Sequence, residues 1–475
     1  MQQEKKLLKN AMVYAIGNFG SKILSFLLVP LFSFYLTKAE FGTYDIIVIT
    51  ASLMVPFVTF QLSDGTYRWL LDKNDNDNVS YIKTVVSSSG LIIIINVLIA
   101  FLIFLGVRIY FFKNIGDIFL LFNYFLSLCL LPYFQQIARG LQQNRLYAAA
   151  GVLNSLILVV CNIILLVIFN WGINALFLSM AISNYVVILL IIFKLKYFKY
   201  FSIRSFNKKL AKELISYSVP LIPNIISWWM ISSANRYIIL NYLGEEANGV
   251  FAMGVRITAI LVMVNSIFSL AWQESAITEY ESENRDKFYT KIFTYYFRFQ
   301  LVAIIILLPI TKIIILNFVD IAFQEAWKYT PFLYVGVAFS AFSAFLGTGY
   351  LSTKNTMGAF YTTVFGSLAN LVVTFSLVHF VGLYSAAVGS MFGFLLTWLL
   401  RVQQTKKYFA ISFNLKDFVF LFAVLIACSL VLLYIDWYVY ILFLTVLLTI
   451  LCLMSYKNDV NMVLQILRKK IKKNV

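Results

Sequence analysis

Apolar stretches of twenty residues or more follow one another along almost the whole chain, separated by short polar joints. The hydrocarbon core of a bilayer is about 30 Å thick, and one helical crossing takes roughly 20 apolar residues. Backbone groups in lipid must be satisfied within a helix or around a closed barrel. The alternating pattern of barrel strands is missing from the sequence, which leaves helices. Spans are expected near 11–36, 43–69, 82–110, 115–141, 145–169, 172–194, 212–242, 248–280, 287–315, 326–350, 357–380, 382–408, 415–435 and 437–455. The expected fold is an all-α integral membrane protein of about fourteen transmembrane helices. Composition agrees: 61% of the 475 residues are hydrophobic and 12% charged, against roughly 45–50% and about 25% in soluble domains. An ordinary soluble enzyme and a disordered chain are both excluded.

The net charge of +17 would suggest a nucleic-acid partner in a soluble protein. Here the positions of the charges point to membrane topology instead, and no nucleic acid is expected. With the N-terminus inside, 30 of the 38 Lys and Arg residues fall in inner joints, five in outer joints, and three (Lys22, Arg236 and Arg256) within spans. Both termini are therefore expected to be cytoplasmic. The basic start MQQEKKLLKN runs into an apolar stretch without a cleavage pattern and reads as a retained first helix. Cys129, Cys161, Cys428 and Cys452 each lie in apolar runs and read as core residues rather than a disulfide or zinc framework. The single histidine, His379, is a weak basis for catalysis or metal binding. A phosphate-binding loop, a G-x-S-x-G elbow and an H-E-x-x-H motif are all missing, and the outer joints are too short for a catalytic domain. Neither an enzyme nor a resident cofactor or metal is expected. All seven prolines lie in or at the edges of spans, where kinks are tolerated.

A repeat is legible. YLTKAEFGTY (35–44) and YLGEEANGVF (242–251) share Tyr35/Tyr242, Leu36/Leu243 and Gly42/Gly249 at a constant displacement of 207 residues. Asn162 before NWGINALFLSMAIS and Asn370 before FVGLYSAAVGS form a second echo. Both joints of the first pair follow odd-numbered spans, so the repeat is parallel. The expected organisation is a six-helix half at 1–194, a basic cytoplasmic linker at 195–211, a second six-helix half at 212–408, and two extra helices with a basic tail at 409–475.

An ionisable group at mid-membrane costs roughly 2.5–3.5 kcal/mol even on lenient scales, and it faces a cavity or a partner. The candidates are Lys22, Asp64, Arg68, Arg139, Arg236, Arg256 and Glu274. Cations dominate, so a water-filled cavity lined by them attracts an anion such as phosphate or pyrophosphate. Arg68, Arg139 and Glu274 are near enough to the inner surface to snorkel, and Asp64 and Arg68 stand four apart on one helix face and can pair. Trp272 is a candidate for stacking on a sugar ring. Trp228 and Trp229 are more ordinary as interfacial residues.

Several stretches carry a family resemblance. ELISYSVPLIPNIISWWMISSANRYIIL (213–240) resembles the seventh-helix signature of bacterial polysaccharide exporters of the O-antigen flippase type. EFGTYDI (40–46), ARGLQQNRLYA (138–148) and the run from LGEEANGVFAMGVRI to LAWQESA (243–276) fit the same family. The resemblance implies two six-helix bundles around a central cavity, related in fold to multidrug exporters. It implies flipping of an undecaprenyl-pyrophosphate-linked repeat unit across the bacterial cytoplasmic membrane by alternating access, with polysaccharide polymerase and assembly proteins as partners. On this reading Lys22, Arg68, Arg236 and Arg256 contact the substrate. Asp64 and Glu274 gate or couple to Na+ or H+, and Trp272 stacks on sugar. Two departures stand out. The usual Asp-Arg pair is Asn235-Arg236 here, which removes an acid beside the arginine, and the usual Trp-Gln-Pro is Trp272-Gln273-Glu274. A cation-coupled drug exporter, which would favour acids in its cavity, and a peptidoglycan-precursor flippase remain open as alternatives.

Overall fold

The computed structural model describes residues 26, 28–71, 79–111, 118–352, 357–412, 414–434 and 446. Helices make up all the regular structure among them. In chain order they are α1 (Lys38–Thr59), α2 (Leu62–Leu70), α3 (Val79–Phe111), α4 (Ile118–Gly140), α5 (Asn144–Asn162), α6 (Gly172–Leu195), α7 (Lys208–Ser218) and α8 (Ile222–Ser233). There follow α9 (Asn235–Thr278), α10 (Arg285–Phe318), α11 (Thr330–Ser352), α12 (Met357–Val381), α13 (Tyr384–Thr405) and α14 (Leu415–Tyr434). Eleven helical segments are long and apolar enough to cross a membrane, and one of them, Lys208–Ser269, is 62 residues long, enough for two crossings. The fold is thus all-α and multi-span. Most of the expected first span and nearly all of the expected fourteenth lie outside the described residues, so the full count of fourteen is not established.

Two compact units divide the chain, Met1–Ala252 and Met253–Val475. The boundary falls inside α9 rather than in the basic joint at 195–211, so compactness groups the expected seventh span with the first unit. Within α9, Gly244 sits at φ 86°, ψ −179°, a conformation open to glycine at little cost. This is the joint at which the sequence places the end of the seventh span.

In the first unit, α1 begins with a capping box: Thr37 and Glu40 each satisfy the other's backbone N–H, closing two of the orphan donors of a helix start. Pro56 interrupts the hydrogen-bond ladder of α1, and four residues later the helix breaks. Phe60 and Gln61 both adopt left-handed conformations, at φ 50° and 53°, costing roughly 1–2 kcal/mol each for residues with a Cβ. The basic joint is docked rather than loose. Ser87 and Ser88, buried on α3, accept hydrogen bonds from the backbone N–H groups of Ser202 and Asn207 at 2.9 and 3.1 Å. A core of Val85, Val86, Tyr133, Ile137, Val187 and Ile191 holds α3, α4 and α6 together.

The second unit is built on aromatic packing. Phe293, Phe342, Phe345 and Trp398 form a continuous cluster. Arg298 of α10 binds Asp417 of α14. Lys312, also on α10, donates to the carbonyl of Leu432 at 2.7 Å and lies 4.0 Å from the centre of the Trp327 ring. These contacts fasten α14 to the body of its unit.

Candidate functional site

The two copies of the first repeat meet in space. A Cβ added at Gly42 would lie 2.0 Å from the carbonyl oxygen of Glu245, and one added at Gly249 would lie 2.0 Å from that of Lys38. Each glycine thus faces the carbonyl four residues before the other. The reciprocity is that of a pseudo-twofold crossing of α1 and α9, and small residues are what let two backbones approach so closely. Asn248 seals the crossing with a 2.9 Å hydrogen bond to the carbonyl of Gly42. At its more exposed rim Lys38 pairs with Glu246 at 3.2 Å.

Just below the crossing, Arg236 Nε binds Asp45 Oδ2 at 2.7 Å, with both side chains more than nine-tenths buried. The guanidinium also donates to the carbonyl of Ser232 at 3.0 Å, and the face of Phe251 lies 5.7 Å away. Trp229 donates its indole N–H to the carbonyl of Ile49, and Thr50 shares a hydrogen bond with Tyr237, so α1 is laced to α8 and α9 on both sides of the pair. Removing one partner of a buried ion pair costs about 3–5 kcal/mol, because the other charge is left uncompensated. The acid absent from position 235 is therefore supplied by Asp45, far away in sequence. Arg236 is thus paired although position 235 carries no acid.

A second polar cluster sits at the break between α1 and α2. Asp64, in the first turn of α2, accepts hydrogen bonds from the side-chain amides of Gln61 at 2.8 Å and Gln136 at 3.1 Å. These amides, not Arg68, hold the carboxylate, and Arg68 is an exposed residue in the last turn. The pairing of Asp64 with Arg68 is not formed. Arg139 packs over the ring of Tyr67 at 4.4 Å.

The remaining sequence candidates are dispersed. Arg256 is half-buried on α9 in the second unit. Glu274 lies on the last turns of the same helix. Lys22 is outside the described residues. Trp272 is 4% exposed, stacked on Phe345 at 4.0 Å, with its indole N–H donated to the Phe345 carbonyl. Its place is in the aromatic core, where a sugar ring does not reach it. Cys129, Cys161 and Cys428 are free thiols, and Cys452 is outside the described residues. A cluster of metal-ligating side chains is absent among the described residues.

Three buried charges escaped the sequence reading. Asp45, at the third position of the expected second span, is not among the sequence candidates. Lys312 and Arg401 were counted in joints, yet both are more than nine-tenths buried. Arg401 reaches from α13 to Thr362, Thr363 and the carbonyl of Ser343 at 3.2, 3.1 and 2.7 Å, tying three helices together. The threonine pair on α12 is the one sequence mark of this cage.

Comparison with known proteins gives a consistent result. A family model described as "Polysaccharide biosynthesis protein" matches residues 7–273, more than half of the chain. An uncharacterized membrane protein of Methanocaldococcus jannaschii is 20% identical, over 85% of this chain and 84% of its own length. Among solved structures, the lipid II flippase MurJ in an inward closed conformation superposes with a TM-score of 0.69 at 14% identity, covering 94% of this chain and 99% of that one. An inward-facing multidrug resistance transporter of the MATE family gives 0.65 at 15% identity, covering 83% and 94%. At these identities the likeness is one of fold.

Proposed function

Given that the chain belongs to the polysaccharide biosynthesis protein family, within a transporter superfamily that takes in flippases and multidrug exporters, we propose that it flips a polyprenyl-pyrophosphate-linked oligosaccharide from the inner to the outer leaflet. The observation that carries this reading is the Asp45–Arg236 pair: a guanidinium buried in a span, held by one displaceable carboxylate beside a glycine crossing. Charge counting places this end of α1 and α9 outside. In the closed state the pair latches the outer end. A pyrophosphate oxygen competes with Asp45 for the guanidinium fork, which matches phosphate in a bidentate manner. The latch opens as the anion takes the carboxylate's place. Lys22, Arg68 and Arg256 serve as further anion contacts along the path, and the prenyl tail stays in lipid throughout.

No covalent step is needed. The substrate drives the change by binding one state better than the other, and moving a population from 1:99 to 99:1 takes about 5.5 kcal/mol of difference. Asp64, held by two amides beside a broken helix, and Glu274 are the proposed coupling groups for Na+ or H+. That cluster also favours a second reading, a cation-coupled exporter of neutral or cationic compounds. A strain lacking the gene separates the two. Accumulation of completed lipid-linked saccharide by mass spectrometry, with loss of surface polymer, is the expected result. Unchanged intermediates with altered drug sensitivity would overturn the flippase reading and leave the exporter.

A further inference from the structure

The second repeat echo leads to a site that neither half of the sequence announces. Gly172 and Gly382, matched in the echo, both take left-handed conformations at φ 53° and 56°, and each launches a span. Two residues on, the copies differ: Asn174 stands in the first turn of α6 and Tyr384 starts α13. In the second unit the ring of Tyr384 packs against Tyr329 at 4.8 Å and Phe332 at 5.9 Å, filling the space between α13 and the start of α11. In the first unit the smaller Asn174 leaves the matching space open. A cavity of about 620 Å³ lies there between α4 and α6.

Its walls have a specific chemistry. Phe119 and Trp171 flank it at the helix starts, both more than half exposed, and Leu178 lines one side. Tyr185 on α6 donates its hydroxyl to the carbonyl of Asn123 at 3.0 Å, and the exposed Asn123 donates its side-chain amide to the carbonyl of Phe119. Asn174, also exposed, lines the same space. Among the described residues that line the cavity, none carries an ionised side chain. The lining combines two amides and a phenol with aromatic rims, which suits a ligand with hydroxyls for the amides and an apolar ring face for the aromatics. At 620 Å³ the space lies within the usual range of about 300–1,000 Å³ for small-molecule sites.

We propose that this slot binds a neutral saccharide, taking a sugar of the transported glycan at a place separate from the cations that hold pyrophosphate. The inference rests on the flippase reading only for what carries the sugar. The slot itself depends on neither Arg236 nor Asp64.

The test uses the full chain in lipid nanodiscs and saturation-transfer NMR, with methyl glucoside, the methyl glycoside of N-acetylglucosamine, methyl glucuronide and farnesol as probes. The two neutral glycosides should receive saturation and the glucuronide much less. Asn174→Tyr, which copies the filling residue of the other half, should abolish the signal. Asn174→Ala should weaken binding about tenfold, as expected for a lost hydrogen bond at the upper end of the usual range. Retention of the wild-type thermal unfolding midpoint in Asn174→Tyr shows that loss of signal is not loss of fold. Persistent saturation in a folded Asn174→Tyr protein, absence of saturation by either neutral glycoside, or displacement of the glycosides by farnesol would each overturn the proposal. Failure here leaves the lipid-intermediate assay untouched, and failure there leaves the slot standing as a sugar site.

Discussion

Two arginines are buried among the described residues, and their surroundings differ in kind. Arg236, in the first unit, is met by the carboxylate of Asp45 and one carbonyl. Arg401, in the second, is wrapped by two threonine hydroxyls and the carbonyls of Ser343 and Ala359, drawn from two helices. Several neutral oxygens fixed on separate helices cannot be exchanged for one incoming anion without pulling the helices apart. A carboxylate can be exchanged, because an anion for an anion keeps the local charge. On the proposed reading, the nature of the partner rather than burial alone separates the two arginines. Glycine packing sharpens the contrast. Around Arg401 the small residues Gly389 and Gly393 press α13 onto Asn370, Thr374 and Gly366 of α12, making a tight block. Near Arg236 the close glycine approach is confined to a single crossing point, Gly42 against Gly249.

The largest effect should come from Arg401→Leu. It orphans acceptors on α11 and α12, each worth roughly 1–3 kcal/mol when buried, for a total above about 3 kcal/mol. The measurement is thermal unfolding in detergent, and the midpoint should drop sharply while the substrate preference of the surviving protein stays wild-type. A variant of normal stability with altered substrate preference would place Arg401 among the transport residues and dissolve the contrast.

Asp45→Asn should have a smaller and different effect. The amide oxygen can accept a hydrogen bond from the guanidinium but carries no charge. Such a bond to a charged group, about 1.5–3 kcal/mol, offsets part of the about 3–5 kcal/mol for an uncompensated buried charge, and a net loss of about 2 kcal/mol is expected. Its signature is exposure: a cysteine placed at Tyr35 should be alkylated faster from outside than in the parent. Unchanged alkylation with an equal loss of stability would make the pair a strut rather than a latch.

The sequence carried the spans plainly, because lipid demands long apolar runs and short joints. It also carried both repeat echoes, and these mark the two places of greatest interest: the Gly42–Gly249 crossing, and the Asn174/Tyr384 difference that opens the slot. What it could not carry was pairing across distance. Arg236 stood out as a charge in a span, but Asp45 sits near a helix start and is not among the sequence candidates. Arg401 and Lys312 lie close to span ends, where snorkelling is the ordinary fate, and only packing shows that they turn inward. The break at Phe60–Gln61 has no local mark beyond Pro56, since neither residue favours a left-handed backbone and surrounding contacts must impose it. Trp272 reads alike as a sugar platform and as a core residue, because both uses need an apolar ring with one donor.

Arg236→Lys should have the smallest effect on stability and so separates the two roles of this charge most cleanly. A lysine keeps the positive charge and can still reach Asp45, so the buried pair survives and the unfolding midpoint should move little. It cannot keep the fork. A planar guanidinium offers phosphate two parallel hydrogen bonds, whereas an ammonium offers a point charge on a flexible stem. If Arg236 only closes a gate, the lysine variant should transport as the parent does. If it receives the pyrophosphate, losing one charge-assisted bond of about 1.5–3 kcal/mol should slow appearance of the lipid-linked saccharide at the outer leaflet by roughly tenfold or more, at equal protein level. The expected outcome is the second, with normal outer-face alkylation. The mirror-image outcome, full transport with a leaky outer face, would move the anion site away from Arg236 and toward the other span cations, beginning with Arg256.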